Sequence, residues 1–214
     1  MVPRLLSKLL VLSMICACLI AAAPARAGLG APGMFGSATE SDGLDTFSKW
    51  TNMLLRHARQ SSNGSVCDAG LADCAYEAWL VRLLGLAEAN PLERVATVNR
   101  WVNQRRYVPD TQAFGIRDYW ATPREFLSGD GDCEDFAILK YLSLRALGMQ
   151  AEDMRIVVVE DTRNNTPHAV LIVRIDDRSL VLDNRNSALK APALVSHYEP
   201  YYAVNEHGWW RAAS

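Results

Sequence analysis

The chain has 214 residues, half of them hydrophobic, with 24 Asp and Glu against 22 Lys and Arg. A net charge of −2 supplies no basic face of the kind phosphate binding requires, which excludes a nucleic-acid partner. No internal repeat, low-complexity tract or second long apolar span is present, so the expectation is one domain around a single core.

The first 27 residues read as a signal peptide rather than as part of that domain. Arg4 and Lys8 form a basic start, Leu9 to Ala23 is an almost unbroken apolar run, and Ala25-Arg26-Ala27 is a small-x-small cleavage site. Cleavage after Ala27 removes three cations and no acid, which takes the net charge to about −5. No membrane span is expected after it. Cys16 and Cys18 leave with the signal, and Cys67, Cys74 and Cys133 remain. In an oxidising compartment Cys67 and Cys74, which flank a short glycine-containing segment, are expected to pair, and Cys133 is the odd thiol.

Residues 28–43, rich in Gly, Ala, Pro and Ser, read as a mobile lead-in to a domain spanning 44–214. Leu44, Phe47, Trp50, Met53 or Leu54, and Ala58 recur at helical spacing to about Arg59. A second helix is expected from about Asp73 to Glu88, with Trp79, Leu80, Leu83 and Leu84 on its stripe. Asn90-Pro91-Leu92-Glu93 caps a third, which turns Val95, Val98, Trp101 and Val102 inward and ends near Arg106. Tyr107 to Trp120 has no period and reads as an ordered loop. Thr122-Pro123-Arg124-Glu125 is a capping box for a short helix. After the Gly129-Asp130-Gly131-Asp132 break, Cys133 to Leu147 reads as a central helix, apolar nearly all round and therefore buried, stopped by Gly148.

The period then changes. Arg155 to Val159, His168 to Ile175, Leu180 to Leu182 and Tyr201 to Val204 read as strands, with a turn at Asp176-Asp177-Arg178. Helices followed by an antiparallel meander define an α+β fold, with the Cys133 helix packed on the sheet.

Cys133 stands at a helix N-terminus, where unpaired N–H groups and the helix dipole favour a thiolate. Asp132, Glu134 and Asp135 crowd the same sulfur and oppose its ionisation. A cysteine nucleophile needs a base, and the base an orienting acceptor. His168 starts one strand and Asp183 ends the next. Strands paired through the short turn at 176–178 can place them near one another, at the roughly 5 Å of cross-strand neighbours. Taken singly, His168 also reads as a loop histidine and Asp183 as a turn former. His57, between Arg56 and Arg59, reads as solvated, while His197 and His207 fall in an aromatic segment where packing is the default.

These blocks resemble a known family. Asp118-Tyr119-Trp120-Ala121-Thr122-Pro123, Gly131-Asp132-Cys133-Glu134-Asp135-Phe136-Ala137, Pro167-His168-Ala169-Val170-Leu171 and Val181-Leu182-Asp183-Asn184 look like the bacterial transglutaminase-like cysteine peptidases, a group with periplasmic adhesin-cleaving members. The resemblance implies a transglutaminase-like, papain-like cysteine hydrolase fold with Cys133 as nucleophile, His168 as general base and Asp183 as orienter. It implies a protein substrate such as a large adhesin, and a cyclic-di-GMP-controlled inner-membrane receptor as partner. It also implies calcium as cofactor, held by Asp132 and Glu134, with Asp118, Asp130 and Asp135 as further candidate ligands; a divalent cation there would offset the charge beside the sulfur. Glutamine transamidation or deamidation through the same acyl-enzyme, and a non-catalytic binding module on the same fold, are the competing readings.

Overall fold

The computed structural model describes residues 38–41, 44, 47–62 and 74–212. The proposed signal peptide and Cys67 lie outside these residues, so the Cys67–Cys74 pairing does too. Six helices, α1 (Ser48–Ser62), α2 (Ala75–Leu84), α3 (Pro91–Val102), α4 (Asp110–Ala113), α5 (Pro123–Gly129) and α6 (Cys133–Ala146), precede most of the sheet. The strands are β1 (Ala38–Ser41), β2 (Met154–Asp161), β3 (Thr166–Ile175), β4 (Arg178–Asp183), β5 (Asn186–Lys190), β6 (Tyr198–Val204) and β7 (Trp209–Ala212). Their order, β1-β7-β6-β2-β3-β4-β5, is antiparallel throughout. The fold is α+β, as the change of period implies.

The topology departs from a plain meander. β2 to β5 follow one another across the sheet, but the chain then returns to lay β6 on the other side of β2. The segment expected as a mobile lead-in contributes β1, which pairs with β7 from Ala38↔Ala212 to Ser41↔Trp209.

The helix starts follow local chemistry. The Asn90 side chain accepts from the Glu93 N–H at 3.0 Å to cap α3. Thr122 and Glu125 close a reciprocal capping box on α5. Alternation along the strands divides their side chains between two faces. Met154, Ile156, Leu171, Val173, Leu182 and Val204 join the core built from the helices. Val157, Val159, Val170, Ile172, Val181, Tyr198, Ala203 and Trp210 form a smaller cluster on the opposite face.

Ten of the fourteen residues of α6 are buried, polar Glu134, Asp135, Lys140 and Ser143 among them, as a helix apolar nearly all round should be, and the helix packs on β2 and β3. The stripe expected on α2 is narrower than read: Trp79 and Leu83 are buried, but Leu80 and Leu84 are exposed, because this ten-residue helix meets the core along one edge. Ile138 is fully buried at the centre of α6. Ile138→Ala is expected to cost about 2–5 kcal/mol of unfolding free energy, measured by urea denaturation; a loss below about 1 kcal/mol would contradict the central place given to α6.

Candidate functional site

A cavity of about 360 Å³ opens where the N-terminus of α6 meets β3, lined by Tyr107, Asp118, Trp120, Asp132, Cys133, Glu134, Pro167, His168 and Tyr202 among others. The loop before α6 is held by three hydrogen bonds. Val108 N–H donates to the Gly131 carbonyl at 2.8 Å, and the Asp135 carboxylate, one turn into the helix, takes Asp132 N–H at 3.2 Å and Ala121 N–H at 2.7 Å. Gly131 must lack a side chain, since a Cβ there would come within 2.0 Å of that carboxylate.

Cys133 is the free cysteine among the described residues. Its thiol donates to Glu134 Oε2 at 3.2 Å. Burial pushes the thiol upward, the Glu134 and Asp132 charges add to it, and only the Ala169 backbone N–H works the other way. Ala169 follows His168, so this contact puts the sulfur at the start of β3, beside the histidine.

His168 is buried, and its Nε2 lies 2.9 Å from Asp183 Oδ1. Its other ring nitrogen, Nδ1, is buried without a hydrogen-bond partner. The two residues meet by a different register from the expected one. Asp176 and Asp177 both take positive φ, 47° and 62°, in a two-residue turn that pairs Ile175 with Arg178 and Leu171 with Leu182. The register is displaced by two residues, and Asp183 is diagonal to His168 rather than opposite, a separation that a histidine and a carboxylate together span. Burial alone would raise Asp183, but His168, the Arg185 backbone N–H at 2.9 Å and the Tyr198 hydroxyl at 2.8 Å all donate to it and hold it at about 2.

The acids divide into groups. Carboxylate oxygens of Asp110, Asp132 and Asp135 lie within 4.8 Å of one another, and Asp132, Cys133 and Glu134 form a second such cluster. Asp110 Oδ1 and Asp132 Oδ1 are buried with no hydrogen-bond partner. Burial drives Asp110 up to about 6, with the Asp132 and Asp118 charges adding and a Tyr119 N–H opposing. Glu134 and Asp135 are raised as well, first by burial and then by neighbouring carboxylates. Mutual repulsion of this kind is what a bound cation relieves. Asp118 lines the cavity but pairs with Lys49, and Asp130 pairs with Arg105 at 2.7 Å.

Asp110 is missing from the ligand set read in the sequence. It sits in the loop expected at 107–120, where only its place at the start of the helical turn α4 distinguishes it. His57 is half-buried against Tyr76 rather than solvated, and His207 is an exposed partner of Glu152. Lys140, two turns along α6 from Cys133, is fully buried; burial lowers it to about 7 while the Asp183 charge opposes.

A family model described as bacterial transglutaminase-like cysteine proteinase (BTLCP) matches residues 62–206. Among solved structures, the calcium-bound form of LapG from Legionella pneumophila is 28% identical over 75% of this chain and 88% of its own, with a TM-score of 0.59. The EGTA-treated form of LapG is 32% identical over 65% of this chain and 77% of its own, with a TM-score of 0.57. No curated protein matches the chain significantly.

A carboxylate held below its usual value stabilises the fold above its unfolded pKa and loses that contribution as pH falls through its folded one. For Asp183, from 3.8 in the reference state to about 2 in the protein, the contribution is about 2 kcal/mol. The stability gap between wild type and Asp183→Asn is therefore expected to be full at pH 7 and to close between about pH 4 and pH 2 in denaturant titrations. An equal gap at both ends would disprove the linkage.

Proposed function

Because the chain belongs to the bacterial transglutaminase-like cysteine proteinase family, and is thus a cysteine peptidase, we propose that it is a calcium-dependent endopeptidase acting through Cys133, His168 and Asp183 on an exported or surface protein such as a large adhesin. The observation that supports this reading most is the shared cavity. Cys133 begins a helix there, and His168, tied through Nε2 to Asp183, keeps an unpartnered Nδ1.

His168 Nδ1 takes the thiol proton. The sulfur then attacks the scissile carbonyl carbon, forming an S–C bond as the C–N bond breaks, and the imidazolium returns its proton to the leaving amine. Water, deprotonated by His168, opens the thioester to a carboxylic acid and restores the thiol. Asp183 holds the imidazole in one orientation and stabilises its charged form. The Cys133 backbone N–H at the start of α6 serves as one donor to the oxyanion.

Calcium fits the residues present. It takes six to eight oxygen ligands, and Asp110, Asp132 and Asp135 offer clustered carboxylates, two of them with a buried unpartnered oxygen, with Glu134 at the side nearer the thiol. The ion would supply positive charge that offsets the acids around Cys133. The similar LapG, which has a calcium-bound form, supports calcium as the ion. Export through residues 1–27 to the periplasm, and sequestration by a cyclic-di-GMP-controlled inner-membrane receptor, complete the proposal; no helix among the described residues is long and apolar enough to cross a membrane.

Exported and surface proteins from cells carrying wild-type or Cys133→Ala enzyme, with and without EGTA, test the reading. A cleavage product present in wild type is expected to vanish in the mutant and in the chelated sample. Its persistence with Cys133→Ala would refute the nucleophile, and its persistence in EGTA would refute the calcium requirement. Asp110→Asn is expected to weaken calcium binding at least tenfold in calorimetric titrations, and unchanged affinity would remove Asp110 from the ligand set.

A further inference from the structure

The hydroxyl of Tyr198 is a buried group with a definite job. Tyr198 opens β6, opposite Asp161 on β2, and its ring is 6% exposed within the smaller apolar cluster. From there its hydroxyl donates to Asp183 Oδ2 at 2.8 Å. The other oxygen, Oδ1, takes both His168 Nε2 and the Arg185 N–H, each at 2.9 Å. The Tyr198 ring also packs on the His168 ring, with centroids 5.4 Å apart at 54°, and the His197 ring covers it at 4.3 Å.

We propose that Tyr198 is a positioning residue for His168, acting through Asp183; the inference rests on the peptidase reading above. A carboxylate with donors on one oxygen only can swing out of its plane about its terminal bond. With Tyr198 on Oδ2 and two donors on Oδ1, swinging the buried Asp183 strains all three bonds. Its plane therefore stays fixed against His168 Nε2, and Nδ1 is the nitrogen left for the thiol proton. Ring packing restricts the imidazole from the other direction. Arg185 extends the arrangement, since its guanidinium bonds Asp161, the cross-strand neighbour of Tyr198.

The test uses hydrolysis of p-nitrophenyl acetate by the full chain in calcium buffer, with turnover expressed per site titrated in the nitrophenolate burst. Tyr198→Phe keeps the ring and removes one oxygen. It is expected to lower kcat per site about tenfold with KM within twofold, because base and acid steps suffer while binding does not. A merely structural role for Tyr198 would shrink the burst and leave turnover per remaining site unchanged, and that outcome, or a loss confined to KM, overturns the inference. Tyr198→Met, similar in bulk and without a hydroxyl, carries the same expectation should the phenylalanine variant fold poorly. A burst that survives in Cys133→Ala sinks the peptidase reading itself, which separates its failure from that of Tyr198.

Discussion

The burial of α6 is the constraint on which the rest of the molecule depends. A helix that covers β2 and β3 with ten of its fourteen residues cannot slide or rotate without exposing apolar surface, at about 25 cal/mol for each Å² returned to water. Its first residue is therefore fixed relative to the start of β3. The loop in front of it is fixed as well, because the Asp135 carboxylate reaches back to two backbone N–H groups and occupies the space that Gly131 leaves. Packing of the helix therefore places Cys133 at the mouth of the cavity that His168 also lines.

That placement sets two electrostatic demands against each other. The end of a long helix favours a negative sulfur, while burial and adjacent carboxylates favour the neutral thiol. The structure separates the two sources of charge. Asp183 bonds His168 from the neighbouring strand and is satisfied by three donors, whereas Asp110, Asp132 and Asp135 gather around one another with oxygens left over. The first carboxylate has its donors within the protein, and the second group keeps two buried oxygens without one.

The elements around the sulfur were legible because they are punctuated: a glycine-aspartate break, a run apolar on every side and a glycine stop define α6 within a residue. The His168 and Asp183 pairing was legible from strand order, but its register was not. An Asp-Asp pair does not announce the left-handed two-residue turn that Asn-Gly would, so nothing local marks which residues the hairpin pairs. β1, β5 and β7 escaped because strands of four or five residues hold too few alternations to stand out. Asp110 and Tyr198 escaped for a different reason. Each meets side chains remote in sequence, Asp183 for Tyr198 and Asp132 and Asp135 for Asp110, and nothing local marks an acid in an aromatic loop or a tyrosine among tyrosines.

The return of β6 to the far side of β2 has a consequence for how the enzyme comes into being. Cys133 and the hairpin bearing His168 and Asp183 come from neighbouring segments, whose contacts close shorter loops. Tyr198 reaches Asp183 only once β6 has paired with β2, and β7 in turn pairs with β1, joining residues 38 and 212. Such long closures are the slow steps of assembly. On the proposed reading, a chain still threading through a membrane or held by a chaperone carries a reactive sulfur without a disciplined base. On that reading, the Tyr198–Asp183 contact waits on the last strands of the sheet.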